Sequence, residues 1–257
     1  VAALAKRNLS RHVDILQGQI DILKKASVAI DTVAALRALQ PLLLPDNPGM
    51  TGHSANEHGH SLLMDVLAAE AVAHPGALSG RLLIEIGATR EHHLNQKSTE
   101  KLAIFTALAG MKLTTIDMDP INIEGVSKVL PFLNPEAIAI AQKGEDFLAA
   151  HEGELDYVYL DAFDFDHAHH SDARRKRYQD VLGTDINDEE CWKMHHACAV
   201  SIVEKMRTGG IVVFDDTWAQ DAGGYGGKGK TALPFLLENG FDIIASTENT
   251  IALKRTR

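Results

Sequence analysis

Leu155-Asp-Tyr-Val-Tyr-Leu-Asp161 is a short apolar run that ends in a carboxylate, and Gly210-Ile-Val-Val-Phe-Asp-Asp216 repeats the arrangement further along the chain. Both runs are rich in β-branched or aromatic residues and are bounded by turn signals, which predicts two buried strands. Carboxylates just past the ends of buried parallel strands meet in the crevice where open α/β sheets bind ligands. We therefore expect Asp161, Asp215 and Asp216 to converge, where three acids can neutralise a hard divalent cation.

Strand-like and helix-like segments alternate on both sides of these runs. Strict alternation predicts a parallel, doubly wound α/β sheet. Two final strand-like runs, residues 241–245 and 250–254, are joined by a polar turn and predict a terminal antiparallel hairpin. The sequence thus predicts a seven-stranded, mostly parallel sheet. The other strands are expected at residues 82–86, 113–116, 137–141, 155–160 and 211–214, and the helices at residues 61–74, 98–109, 120–133, 144–150, 188–206 and 231–238.

Three regions fall outside this alternation. Residues 3–40 carry apolar side chains at intervals of three to five residues, which predicts two amphipathic helices that pack on the main domain or on a second subunit of a homo-oligomer. Residues 41–60 are rich in Pro and Gly and predict a lid loop. We therefore divide the chain into N-terminal helices with a lid, residues 1–60, and a catalytic domain, residues 61–257. Residues 162–187 form an irregular insertion above the carboxyl edge of the sheet.

Composition narrows the class of function. The chain has 257 residues and a formal net charge of -10, without a basic footprint, so we expect small-molecule chemistry and neither a nucleic-acid nor a membrane partner. No apolar run approaches the ~20 residues of a membrane helix, and the beginning of the chain lacks the pattern of a signal peptide. Cys191 and Cys198 are seven apart on one predicted helix, too far for a disulfide. These features predict a cytoplasmic protein with reduced thiols.

Candidate ligand-binding residues follow the first two strands. Glu85 is separated by one residue from Gly87, which allows a ligand to approach the backbone closely. Ser98 and Thr99 begin the next helix, where hydroxyl groups and free amides can hold a carboxylate. The alternative for these four residues is a strand end followed by a capped helix. Asp117 ends the second strand, where such folds grip the two hydroxyls of a ribose, and its alternative is a solvated strand end.

Taken in order, these motifs resemble the class I S-adenosylmethionine-dependent methyltransferases, and more narrowly the metal-dependent O-methyltransferases of the catechol and macrocin types. The resemblance covers about residues 50–254 and depends on the order and spacing of the ensemble. The motifs are Glu85-x-Gly87, Asp117-x-Asp119-Pro120, Gly144-Glu145-Asp146, Leu160-Asp161, Gly209-Gly-Ile-Val-Val-Phe-Asp-Asp216 and the terminal hairpin.

The resemblance implies a role for each matching acid. Glu85 is implied to lie near the methionine amine of S-adenosylmethionine, Asp117 to bind its ribose, and Glu145 and Asp146 to contact its adenine. Asp161, together with the pair that follows the fifth strand, is implied to hold a divalent cation, with magnesium expected. The implied reaction is methyl transfer to a hydroxyl of a small molecule, such as a sugar or glycoside.

The resemblance fails at the general base. Three residues after Asp161, where the catechol enzymes carry lysine and the macrocin type histidine, this chain has Asp164. His167, in the insertion, is a candidate substitute because an imidazole titrates near neutral pH. Its alternative is a surface-loop histidine. His195 falls on the buried stripe of its predicted helix and is interpreted as a hydrogen-bonded core histidine.

Residues 224–231 match the phosphate-loop pattern G-x-x-x-x-G-K-[ST] and support a rival hypothesis, an enzyme that uses a nucleoside triphosphate. The preceding strand ends well before Gly224, however, whereas a phosphate loop leaves its strand directly. We favour a flexible flap whose Trp218, Tyr225 and Lys228 touch the substrate. A third hypothesis, a non-catalytic binding module with this fold, is suggested by the scarcity of glycine in the loop after the first strand.

Overall fold

The computed structural model describes residues 58–90, 97–166 and 170–257. The predicted N-terminal helices, almost all of the predicted lid and the candidate base His167 lie outside the described residues, and so does the predicted oligomer contact through those helices. No helix in the described ranges combines the length and the apolar composition needed to cross a membrane.

Seven of the described strands form one sheet in the order β3-β2-β1-β4-β5-β9-β8. Strands β1 to β5 pair in parallel, β9 runs antiparallel to β5, and β8 runs antiparallel to β9. The predicted doubly wound sheet with a terminal antiparallel pair is therefore confirmed. The strands are β1 (Leu82–Ile86), β2 (Lys112–Asp117), β3 (Ile138–Ala141), β4 (Leu155–Leu160), β5 (Met206–Phe214), β6 (Thr217–Ala219), β7 (Tyr225–Gly227), β8 (Phe241–Ser246) and β9 (Ile251–Arg255).

Helices cover both faces of this sheet. Successive side chains of a strand point to opposite faces, so β4 sends Tyr157 and Tyr159 to one apolar cluster and Val158 and Leu160 to the other. The tyrosine face is covered by α1 to α4, and the opposite face by α5 to α8. The helices are α1 (Gly59–Ala73), α2 (Ser98–Ala109), α3 (Pro120–Ser127), α4 (Leu130–Leu133), α5 (Gly144–Ala150), α6 (Asp172–Leu182), α7 (Asp188–Lys205) and α8 (Ala232–Glu238).

Several elements differ from the sequence-based expectation, including β5, which begins at Met206 instead of residue 211. The helix predicted at residues 120–133 is two helices, because Pro131 is compatible with the first turn of a helix but not with its interior. The insertion contains α6, whose only buried residue is Tyr178, so no apolar periodicity marked it as a helix. The flap contains a two-stranded antiparallel hairpin, β6 with β7, whose strands are three residues each.

The register of the central strands brings their carboxyl ends together. Ile86 of β1 pairs with Leu160 of β4, which in turn pairs with Phe214 of β5. The residues that directly follow these last two strands, Asp161 and Asp215, consequently lie at the same edge of the sheet.

Candidate functional site

Asp215 is the most enclosed of the three strand-end acids, at 5% exposure. Its Oδ1 accepts hydrogen bonds from the backbone amides of Gly59 and Asp216, both at 3.0 Å. The hydroxyl of Tyr159 lies 2.7 Å from its Oδ2 and 3.2 Å from Oδ2 of Asp161. Burial, with the nearby carboxylates of Asp161 and Asp216, raises the pKa of Asp215 to about 8. The predicted convergence of the three acids is thus present, around a tyrosine that the sequence did not indicate.

Lys228 reaches into this cluster from the end of β7. Its Nζ lies 2.6 Å from Oδ1 of Asp161 and 2.9 Å from Oδ2 of Asp216, and its side chain is only 2% exposed. Burial alone would lower the pKa of Lys228, but the surrounding carboxylates raise it well above its usual value. The amine is therefore a permanent ammonium ion. We call Asp161, Asp215 and Asp216 the acid cluster. Lys228 was predicted to touch substrate from a flexible flap, but its side chain is enclosed among these three acids.

The residues of the acid cluster do not fit a divalent cation. The ammonium of Lys228 already forms ion pairs with Asp161 and Asp216, and both oxygens of Asp215 have hydrogen-bond partners. Across residues 58–90, 97–166 and 170–257, no group of three or more His, Cys, Asp or Glu side chains is arranged to hold a metal ion. The predicted magnesium therefore has no support in this geometry.

Unusual backbone geometry follows both acid-bearing strands. Phe163 has φ 54° and Asp216 has φ 45°, in the left-handed region. Aspartate is among the residues that tolerate this region, whereas a bulky side chain such as phenylalanine adopts it rarely. Strained conformations of this kind concentrate at functional sites. Their position, three residues after β4 and two after β5, agrees with a site at this edge of the sheet.

Glu85 is a fully buried carboxyl group at the carboxyl end of β1. The hydroxyl of Ser98 donates to its Oε1 at 2.6 Å, while its Oε2 has no hydrogen-bond partner among the described residues. Burial raises the pKa of Glu85 to about 8. A buried oxygen without a partner is uncommon in a folded protein and calls for an explanation.

The loop after β1 is tied to the start of α2. The amide of Thr89 donates to Oγ1 of Thr99 at 2.8 Å, and the amide of Thr99 donates to Oγ1 of Thr89 at 3.0 Å. Gly87 has φ 103°, and a Cβ there would lie 2.6 Å from the carbonyl oxygen of Asp161. Thr99 and Ser98 thus use their hydroxyls inside the protein, and Gly87 lets the loop pass against the end of β4.

Asp117 lines a cavity of about 1010 Å³. Its Oδ2 accepts from the amide of Ala88 at 3.0 Å and from the side chain of Asn122 at 3.2 Å, and its Oδ1 accepts from the amide of Asp119 at 2.8 Å. These donors hold the carboxylate in one orientation. Glu145 also lines the cavity, whereas Asp146 is exposed and does not. The volume is ample for a nucleoside-sized ligand.

Helix α6 forms one wall of that cavity and was missed in the sequence. Arg177 forms a bidentate ion pair with Asp119 beside Asp117, and Arg174 pairs with Asp164. Asp164 also accepts from the hydroxyl of Tyr178 at 2.9 Å. The residue that occupies the family's base position is therefore a structural anchor for the insertion. Two sequence signals for this helix were available: Ser171, whose side chain accepts from the amide three residues on, and Gly183, which ends the helix in the left-handed conformation.

The phosphate-loop match does not have phosphate-loop geometry. Strand β6 lies between β5 and the motif, β7 lies within the motif, and the helix that follows has only seven residues. The ammonium of Lys230 lies 3.8 Å from the ring centre of Trp192, and the hydroxyl of Thr231 donates to the carbonyl of Trp192. Two residues that would bind phosphate and its metal are therefore engaged with α7.

The two aromatic residues predicted in the flap have different surroundings. Trp218 is half-buried, makes an edge-to-face contact with Phe165 at 5.7 Å between ring centres, and lies against Gly226, where a Cβ would come within 2.5 Å of its Nε1. Tyr225 is half-buried and packs on the core under α7 and α8. Trp218 is the closer of the two to the insertion, while Tyr225 serves packing as well.

Comparison with known proteins gives fold similarity alone. No protein-family profile and no curated protein matches this sequence. Among solved structures, the Thermus thermophilus 16S rRNA N2 G1207 methyltransferase RsmC aligns at 15% identity and TM-score 0.48 over 77% of this chain, which spans 43% of that protein. The N-methyltransferase NodS of Bradyrhizobium japonicum WM9 aligns at 15% identity and TM-score 0.46, over 83% of this chain and all of NodS. Similarity at this level does not assign an activity.

One sequence-based expectation has to be corrected. The exclusion of nucleic acid was wrong, because RsmC and a putative rRNA methylase from Clostridium thermocellum, at 12% identity, TM-score 0.43 and coverages of 73% and 96%, are among the structures of similar fold. A net charge describes a whole chain and does not set the sign of one face. The cavity is lined by charges of both signs, although the chain as a whole is acidic; they include Arg90, Arg174, Arg177, Asp117, Asp119 and Glu145. The strand order and the antiparallel terminal pair are those of a Rossmann-like methyltransferase fold.

Proposed function

We propose that this protein transfers a methyl group from S-adenosylmethionine to a hydroxyl group of a small molecule. The observation that carries the proposal is the pair of acids at the ends of β1 and β2. Glu85 offers a buried oxygen without a partner, and Asp117 offers a carboxylate fixed by three donors at a nucleoside-sized cavity. A ligand with a cationic amine at one end and a ribose at the other matches both.

Each end of the donor has a proposed partner. S-adenosylmethionine, when bound, supplies a methyl group activated by a sulfonium. We propose that Glu85 accepts a hydrogen bond from the methionine amine, that Asp117 accepts hydrogen bonds from the ribose hydroxyls, and that Glu145, which lines the cavity, contacts the adenine. Ser98 and Thr99 position Glu85 and the loop after β1 through the hydrogen bonds of their hydroxyls. The protein contributes mainly by aligning the acceptor with the methyl group.

The acceptor side of the proposal centres on the acid cluster. The side chains of Asp161 and Asp216 are 29% and 49% exposed, so both can meet an acceptor hydroxyl at the edge of the sheet. Asp161 is our candidate proton acceptor, with His167 as its rival, and Trp218 is a candidate wall for the acceptor. No metal ion takes part in this proposal, because the ammonium of Lys228 already forms ion pairs with two of the three acids.

Calorimetry with S-adenosylhomocysteine tests donor binding. Asp117→Asn keeps the shape but removes the charge, so we expect binding about 10- to 100-fold weaker, from the loss of charged hydrogen bonds worth roughly 1.5–3 kcal/mol. Asp65→Asn, an exposed position on α1, is the matched control and should bind like the wild type. Wild-type protein that gives no binding heat at millimolar ligand would end the proposal.

Transfer is then measured with donor labelled in the methyl group. The acceptor panel contains hydroxylated small molecules, amines and RNA, and label on a hydroxyl compound is the expected result. Label on RNA would replace the small-molecule part of the proposal. Binding of S-adenosylhomocysteine without transfer to any acceptor would favour the non-catalytic module, and binding of ATP in its place would revive the nucleotide-using enzyme.

A further inference from the structure

The backbone that carries Lys228 is fixed against the acid cluster. Its amide donates to the carbonyl of Asp216 at 2.9 Å, and the amide of Gly229 donates to Oγ1 of Thr217 at 2.9 Å. A Cβ on Gly227 would overlap the carbonyl oxygen of Asp216, so glycine is needed for this close approach. The hairpin therefore delivers the lysine side chain to one place, and the lysine is not a mobile surface group.

The acid cluster already contains a cation, the ammonium of Lys228. The ammonium of Lys228 contacts one oxygen each of Asp161 and Asp216, while Asp215 is held by two backbone amides and the hydroxyl of Tyr159. A divalent ion bound to the same oxygens would lie within a few ångströms of the ammonium, and like charges at that distance repel strongly in a buried site. Its binding requires Lys228 to leave an enclosure in which it is 1% exposed.

We propose that Lys228 is the resident cation of the acid cluster and occupies the place of the divalent ion expected from the sequence. The lysine is a positioning residue: it holds Asp161 and Asp216 in fixed orientations at the edge where an acceptor would bind. The inference concerns cation binding and does not require the proposed methyl transfer.

Manganese binding to metal-stripped protein tests this directly, measured by calorimetry without any methyl donor. Wild-type protein should show no saturable binding of Mn²⁺ or Mg²⁺ at millimolar concentrations. Lys228→Met leaves the carboxylates without their cation, so this variant should gain a saturable Mn²⁺ site. Lys230→Met is the matched control, because that lysine lies two residues on and is exposed over Trp192, and it should behave like the wild type.

Two results would overturn the proposal. One is saturable Mn²⁺ binding by the wild type that Asp216→Asn abolishes, since a metal would then displace the lysine. The other is a folded Lys228→Met protein that gains no Mn²⁺ site. If Lys228→Met does not fold, the melting temperature of the wild-type protein provides the test. We expect EDTA and Mn²⁺ to leave this temperature unchanged. A melting temperature that rises with Mn²⁺ concentration would contradict the assignment of Lys228 as the resident cation. Failure of S-adenosylhomocysteine binding leaves these results unaffected.

Discussion

Glu85 illustrates how a single carboxyl group couples this fold to pH. Its pKa is raised by burial from 4.5 to about 8, so the protein favours its protonated form. The stability that this group contributes is complete below pH 4.5 and is lost as the pH rises toward 8. A ligand that brings a positive amine would reverse this preference and favour the carboxylate.

We predict that Glu85→Gln changes the pH dependence of stability. Glutamine has the same shape and no proton to lose, so the free energy of unfolding of the variant should gain on that of the wild type between about pH 5 and about 8, by a few kcal/mol at most. Urea denaturation of both proteins across this range measures the difference. A difference that is constant with pH would contradict the assignment of a raised pKa to Glu85.

At the scale of single residues, the convergence of Asp161 and Asp215 could be predicted from the sequence, but the role of Lys228 could not. Asp161 and Asp215 directly follow apolar runs, and neighbouring parallel strands end at one edge, so their proximity follows from the pattern. Lysine is almost never fully buried, and a lysine within a glycine-rich segment is typical of a solvated loop. Its contact with Asp161, 67 residues earlier in the chain, depends on tertiary packing that local sequence does not encode.

Among the elements, the turn after β1 depends on glycine for two separate reasons. Gly87 combines a positive φ of 103° with a close approach to the backbone of Asp161. Gly76 has a similar φ of 87°, yet nothing lies within 4 Å of the position a Cβ would take. A comparison of Gly87 with Gly76 therefore separates the cost of a positive φ from the cost of a steric clash at the Cβ position.

Gly87→Ala should destabilise the protein more than Gly76→Ala does. A left-handed alanine costs roughly 1–2 kcal/mol at either position, and the contact with Asp161 adds to this at Gly87 alone. Chemical denaturation gives both values, and we also expect Gly87→Ala alone to weaken S-adenosylhomocysteine binding, since the displaced loop lies beside Glu85. Equal losses of stability in the two variants would show that the steric contact is relieved without cost.

Helix α6 is the helix that sequence-based prediction missed. Helices with an apolar stripe, such as α7 with Cys191, His195 and Cys198, were predicted nearly to the residue. Helix α6 is polar nearly all round and is held by ion pairs from Arg174 and Arg177, which leave no periodic signal. The wall of the cavity was therefore missed, although the strands that frame the cavity were predicted.

At the scale of the whole molecule, the apolar pattern determined most of the architecture. Strands β1 and β4 and the second half of β5 are buried on both faces and are largely apolar, as parallel strands between two helical layers are. Partners, by contrast, were inferred from a net charge that averages over all surfaces, and the exclusion of nucleic acid failed for that reason.

Thiol labelling offers a probe of the intact fold. Cys191 and Cys198 are both fully buried on α7, and burial raises the pKa of Cys191 to about 12 and that of Cys198 further. We predict that a thiol reagent such as DTNB reacts with neither cysteine in the folded protein and with both after denaturation, in step with the loss of circular dichroism. Rapid labelling in native buffer would contradict the packing of α7 on the sheet.

Both tryptophans of the chain touch the hairpin that carries Lys228. The indole of Trp192 donates to the carbonyl of Gly227 at 3.1 Å, and Trp218 belongs to β6 itself. The tryptophan fluorescence of this protein consequently originates at this hairpin. Quenching by iodide or a shift of the emission maximum would report on the hairpin without any attached dye.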